Sequence, residues 1–135
     1  MNAIEYIDRY NKIGVLIGLK KEDYSKWFGI AAGVGGFSSS DVVQSTKNPQ
    51  KMSDAVARYV EIDNEIEALR EERDGIMKTI NRLPYAECAI IVKFYIKKES
   101  IKQIARSFNM SYDWVKKRKK TALDHLQEIL DEKKE

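Results

Sequence analysis

Ten positions in the middle of the chain constrain its fold more than any other feature. Met52, Ala55, Tyr59, Ile62, Ile66, Leu69, Arg73, Ile76, Ile80 and Leu83 recur at alternating steps of three and four. An α-helix makes one turn in 3.6 residues, so these side chains share one face. Sustained over residues 51–82, the alternation predicts an amphipathic helix with coiled-coil-like packing. Ser53 or Asp54 suits the cap at its start. Arg73 is the polar member of the seam. It either fixes the register of the packing or carries its guanidinium out to solvent. The residues between the seam positions are mostly charged. Residues 54–78 hold eight acids and four bases, a net charge of −4. Phosphate repels such a helix, so it is expected to pack on protein. Two arrangements remain open: a hairpin with another helix of the same chain, or a homodimer through the 52–83 seam.

A second stripe precedes the first. Ala3, Tyr6, Tyr10, Ile13, Ile17, Lys20, Tyr24 and Trp27 follow the same three-four rhythm, and only Lys20 breaks its apolar run. Ile4, Ile7, Leu16 and Leu19 widen it. Residues 1–28 therefore read as an N-terminal helix. Gly14 and Gly18 each lower its helix propensity by about 1 kcal/mol. Their spacing fits either a close helix approach or a kink. Four of the seven glycines then fall within positions 29–36, followed by Ser38, Ser39 and Ser40. Residues 29–50 read as a flexible Gly/Ser-rich connector.

Composition excludes several classes. Of 135 residues, 43% are hydrophobic and only two are prolines, which argues against a disordered or collagen-like chain. The single cysteine, Cys88, allows no intrachain disulfide, so a secreted stapled domain is excluded and the cytoplasm is favoured. No apolar run approaches the ~20 residues of a membrane span. The start, Met-Asn-Ala-Ile-Glu-Tyr, lacks the features of a signal peptide.

Leu83-Pro84 opens a third helical block, since proline fits a helix's first turn. Ala86, Cys88, Ala89, Ile90, Ile91, Phe94 and Tyr95 predict a helix buried over a wide arc. Ser100 can cap a short helix over residues 101–108, with Ile104, Ala105 and Phe108 inward. Asn109 tolerates a left-handed backbone and can end that helix. Ser111 can cap the next, from Tyr112 onward. Ile104, Met110 and Val115 would close a small core. This is the arithmetic of a helix-turn-helix.

Charge supports it. Residues 93–123 hold ten bases and two acids, a net charge of +8. Lys116, Lys117, Arg118, Lys119 and Lys120 are consecutive on the second helix, the one that such a motif inserts in the major groove. Val115, Ala122, Leu123, Leu126, Ile129 and Leu130 keep the helical period on both sides, so the run is not a disordered basic tail.

Leu83-Pro84, Glu87, Ile91, Phe94-Tyr95-Ile96, Ser100-Ile101, Ile104-Ala105, Met110-Ser111, Val115, Arg118, Ala122 and Leu126 resemble region 4 of bacterial sigma-70-type factors. The whole chain resembles small phage proteins with such a C-terminal domain, similar to the late-transcription activators of the RinA and ArpU type. Lys51-Met52-Ser53-Asp54-Ala55-Val56 and the acidic helix after it look like the front half of that group. Asn109 stands where glycine is usual and Thr121 where a base is frequent. The resemblance implies an all-α protein: a long N-terminal helical hairpin or coiled coil, then a helix-turn-helix domain over residues 83–135. It also implies a DNA-binding transcription regulator that switches on phage genes in the bacterial host cytoplasm, acting with host RNA polymerase.

Within the helix-turn-helix, Tyr112, Asp113, Lys116, Lys117 and Lys120 are placed to meet bases. Lysine can reach guanine O6 and N7, and aspartate can accept from cytosine N4. Asp113 also suits the positive end of a helix dipole. Arg118, Lys119 and Lys102 are assigned to phosphate, and Ser111 to capping or phosphate. Trp114 either stacks on a nucleotide or joins the core. His125 reads as a lone surface histidine. Double-stranded DNA is the expected partner, with no membrane. No cofactor or metal is expected, because one His and one Cys cannot make a zinc site. No Walker-type phosphate loop is present, and an enzyme is not expected. A phage packaging protein of small-terminase type is the alternative, since it also joins a helix-turn-helix to oligomerisation helices.

Overall fold

The computed structural model describes residues 2–32 and 49–133. The described residues form helices and contain no strand: α1 (Ala3–Ala32), α2 (Pro49–Ile80), α3 (Tyr85–Ile91), α4 (Ile101–Phe108) and α5 (Tyr112–Lys133). A π-helical turn, Val92–Ile96, continues α3. The expected connector begins later than its composition implies, because α1 continues through Gly29 to Ala32. Its residues 33–48 lie outside the described residues. At the other end α2 already starts at Pro49, so Ser53 and Asp54 sit inside the helix rather than capping it. No helix among the described residues is long and apolar enough to cross a membrane.

The chain divides into two compact units, Ile13–Glu72 and Met1–Lys12 with Arg73–Glu135. In the first, α1 and α2 run antiparallel as a hairpin. Tyr24 packs edge-on against Tyr59 at 5.5 Å between ring centroids, and Phe28 packs against the same ring at 5.4 Å. Ile13, Ile17, Ala55, Ile62 and Ile66 are buried. The two stripes thus bury their apolar positions within one chain. Lys20, the polar break in the first stripe, places Nζ 2.7 Å from Oε2 of Glu65 on α2. The hydrogen bond from the Lys20 ammonium lowers the Glu65 carboxyl pKa, against a smaller opposing effect of burial and with the Lys20 charge adding to it. Gly14 and Gly18 do not mark a close helix approach. A Cβ at either position would meet nothing within 4 Å, and α1 passes through both without a break. Arg73 is half-buried.

The second unit is built on α5. Ile76, Ile80, Leu83, Ile90, Ile91, Leu126 and Leu130 are buried there. Pro84, with an extended backbone at ψ 151, sits one residue before α3, and its carbonyl accepts from the Cys88 N–H at 2.9 Å. The Cys88 thiol donates to Oδ1 of Asn81 at 3.3 Å, and burial pushes its pKa up. The first residues of α1 are tied in by two bonds. The Ala3 N–H donates to Oε1 of Gln127 at 2.8 Å, and Nδ2 of Asn11 donates to the Tyr95 carbonyl at 3.0 Å. Tyr95 lies in the π-turn, where the Lys97 N–H reaches back five residues to Val92. Burial, followed by the nearby Asp8 charge, pushes the Tyr95 phenol up, so it stays neutral.

Truncating the hairpin seam tests this packing. Ile62→Ala removes a side chain that is 1% exposed, and is expected to cost roughly 2–5 kcal/mol in denaturant melts. Val60→Ala, at a position 46% exposed, is expected to stay within about 0.5 kcal/mol of the parent.

Candidate nucleic-acid interface

Local chemistry sets the two helices of the interface and the turn between them. Ser100 has an extended backbone and a full capping box. Its hydroxyl accepts from the Gln103 N–H at 3.2 Å, and the Gln103 side chain accepts from the Ser100 N–H at 2.9 Å. Two orphan donors at the start of α4 are thereby satisfied. Asn109 ends α4 at φ 56, in the left-handed region. The Met110 N–H bonds the Ala105 carbonyl at 3.0 Å and the Asn109 N–H bonds Arg106 at 3.2 Å, the paired closure of a Schellman motif. Ser111 then caps α5 by accepting from the Trp114 N–H at 3.1 Å.

The core under the turn is Ile90, Ile104, Ala105 and Val115, with Phe94, Ile101, Phe108 and Trp114 packed against it. Met110 does not join it as expected; it is 44% exposed. The left-handed residue before it turns the chain outward, and Ile90 of α3 fills the place. Trp114 takes the core option: it is half-buried, with its ring 6.0 Å from that of Phe108.

The buried side of α5 determines its outward side. Val115, Ala122 and Leu126 are fully buried. Successive residues turn by about 100°, so Asp113, Lys117 and Lys120 fall opposite them, with Lys116 alongside. All four are exposed, as are Ser111, Tyr112 and Arg118, and Lys102 on α4. The base-reading candidates Asp113, Lys116, Lys117 and Lys120 thus share the outward side of one helix, while Tyr112, at its first residue, lies nearer the buried stripe and is exposed. Asp113 also lies in the first turn of α5. The phosphate candidates are arranged differently. Arg118 lies with its guanidinium carbon 5.5 Å from the Trp114 ring centroid. Lys119 is half-buried, and its Nζ is 4.2 Å from the centre of the Phe94 ring.

His125 is not alone. Its Nδ1 lies 2.7 Å from Oε2 of Glu87, whose side chain is 4% exposed. The hydrogen bond to Glu87, then the Glu87 charge, raises the histidine pKa above its ordinary 6.5, against a smaller opposing effect of burial. Sequence periodicity does carry a trace of this pair. Glu87 is the one charge among Ala86, Cys88, Ala89, Ile90 and Ile91, and a carboxylate buried without a partner is costly. What the sequence lacks is the distance: His125 is 38 positions away.

Residues 79–128 match the family described as sigma-70, region 4. That span contains the end of α2, the whole of α3 and α4, and α5 through the basic run. This part of the chain is a sigma-region-4-like helix-turn-helix, a DNA-binding module. Comparison with curated proteins and with solved structures gives no match.

Two substitutions test the scaffold. Asn109→Val forces a β-branched residue into the left-handed region and is expected to cost about 1–2 kcal/mol, whereas Asn109→Gly should melt no earlier than the parent. His125→Gln keeps a donor for Glu87 but removes the charge. Because the folded histidine binds its proton more tightly than the unfolded one, its contribution is full below the unfolded pKa and disappears as pH rises through the folded pKa. The gap in melting temperature between parent and His125→Gln should therefore be widest in mild acid and close in alkali.

Proposed function

We propose that the protein is a sequence-specific transcription regulator that binds duplex DNA with α5 in the major groove. The observation that carries this reading is the exposure of Lys116, Lys117 and Lys120 on α5, turned away from the buried Val115 and Ala122. Like charges so close on one helix repel each other, and a phosphate backbone relieves that repulsion while releasing its own counterions. In this docking Lys116, Lys117 and Lys120 face base edges. Tyr112 and Asp113 enter first, at the helix start. Arg118 and Lys102 flank the groove, and the Ser111 hydroxyl, already a cap acceptor, keeps its proton to donate to phosphate.

The resemblance to small phage proteins over residues 51–126 supports a narrower role: a phage or prophage activator of late genes, working with host RNA polymerase inside the bacterial cell. In that role the acidic hairpin is the protein-facing part. Its −4 segment disfavours DNA, and its seam is already occupied within the chain.

The test begins with selection of bound duplexes from a random pool. The affinity of the parent for the selected site should fall steeply with salt, by about 0.9 in the logarithmic slope for each phosphate contact. Lys116→Glu combined with Lys120→Glu should weaken specific binding roughly 100-fold or more with unchanged helical content by circular dichroism. Footprints equal to the parent's would overturn the assignment. Solution mass separates the packaging alternative: a monomer or dimer fits transcription, and a large ring fits a small-terminase role.

A further inference from the structure

Five consecutive bases on one helix cannot all point the same way. At 3.6 residues per turn they span more than one full turn, so at least one must face the domain. Val115, Ala122 and Leu126 define the buried stripe of α5. Lys119 lies four residues after Val115 and three before Ala122, in the stripe itself. It is the one member of the basic run that is not exposed. Its ammonium is 4.2 Å from the centroid of Phe94, and Phe94 belongs to the π-turn Val92–Ile96 that continues α3. Phe94 in turn packs on the core of Ile90, Ile104, Ala105 and Val115 and stands edge-on to Tyr95 at 4.9 Å. The ring is therefore held from behind while its face meets the lysine.

We propose that Lys119 is a positioning residue: it lays its charge on Phe94, fixes the roll of α5 about its axis, and makes no phosphate contact. Counting charge along the sequence groups Lys119 with its neighbours; the geometry separates it from them. The basic run then divides by task. Lys116, Lys117 and Lys120 meet DNA, Arg118 leans along Trp114 on the flank, and Lys119 holds the helix to the π-turn. A ring face attracts a cation over a short range and tolerates sliding, so the contact can constrain roll without demanding the geometry of a carboxylate pair. A small change in roll moves the tips of Lys116 and Lys120 across the groove floor, so the contact bears on discrimination between sequences more than on attraction to DNA.

This inference rests on the DNA-binding reading, and one experiment separates the two. Binding to the selected site and to a scrambled duplex is measured across a salt series for the parent, Lys102→Met, Lys119→Met, Lys119→Arg and Phe94→Leu. Lys102→Met should lower the salt slope by about 0.9, the effect of one lost phosphate contact. Lys119→Met should leave the slope at the parent value. It should instead lower the ratio of specific to non-specific affinity by at least about fivefold, the lower end of what one base contact supplies. Phe94→Leu should reproduce that loss of ratio, and Lys119→Arg, which keeps a cation over the ring, should restore it. A slope lowered by Lys119→Met as much as by Lys102→Met would make Lys119 a phosphate contact and overturn the inference alone, as would an unchanged ratio in both Lys119→Met and Phe94→Leu. Salt-independent binding by the parent would overturn the DNA reading, and this inference with it.

Discussion

The second unit depends on the buried side of one helix. Val115, Ala122, Leu126 and Leu130 line a single face of α5 over its whole length. The N-terminal part of that face closes the core beneath the turn with Ile90, Ile104 and Ala105. Its C-terminal part is bound by polar ties on either side. Gln127 accepts from the Ala3 N–H, and the Lys133 ammonium donates to the buried Thr79 hydroxyl at 2.6 Å, which donates in turn to the Gly75 carbonyl at 3.0 Å. The Arg82–Glu132 pair at 3.6 Å is exposed and adds little. A helix anchored along its length holds its outward face close to one orientation, which is what a recognition surface requires.

Lys20, Glu87 and Lys119 interrupt apolar stripes, and each is met by a different kind of partner. Lys20 pairs with Glu65 on the opposite arm of the hairpin, where both side chains keep about a third of their surface in water. Glu87 is almost wholly withdrawn from solvent and faces His125, whose own side chain stays 44% exposed. Lys119 meets an aromatic face rather than a carboxylate. The choice of partner follows burial. A solvated pair needs only proximity, a buried carboxylate needs a donor at hydrogen-bond distance, and a lysine emerging from an apolar stripe can keep its ammonium hydrated on one side while its stem and head rest on a ring.

What was legible in the sequence was whatever periodicity and local backbone chemistry control. The seam over residues 52–83 named the buried side of α2, and the Ser100, Asn109 and Ser111 signals named both ends of the turn, because caps act within four residues of themselves. Partners were not legible. Periodicity tells which face of a helix is buried but not what covers it, so the seam alone does not name the rings of Tyr24 and Phe28 that pack on Tyr59. The same blindness made His125 look solitary and put Met110 in a core that Ile90 fills. Composition misled at Gly29, where glycine and alanine continue α1 to Ala32. Helix propensity is a weak local cost that a long, already nucleated helix absorbs.

A formal charge of +3 describes no part of this molecule well. Residues 93–123 carry +8 and residues 54–78 carry −4, and the two segments answer to different solvents. The basic one lies on helices whose caps and core are complete without DNA, so little ordering entropy remains to be lost on binding. The acidic one spends its apolar face within the hairpin and presents carboxylates outward. Phosphate attracts the first and repels the second. Within the basic segment the same logic operates at finer scale. In the docking proposed for α5, charge density brings the helix to the groove, but the number of lysines does not set what it reads. That depends on which of them the buried stripe turns outward, and on the one that it turns back onto Phe94.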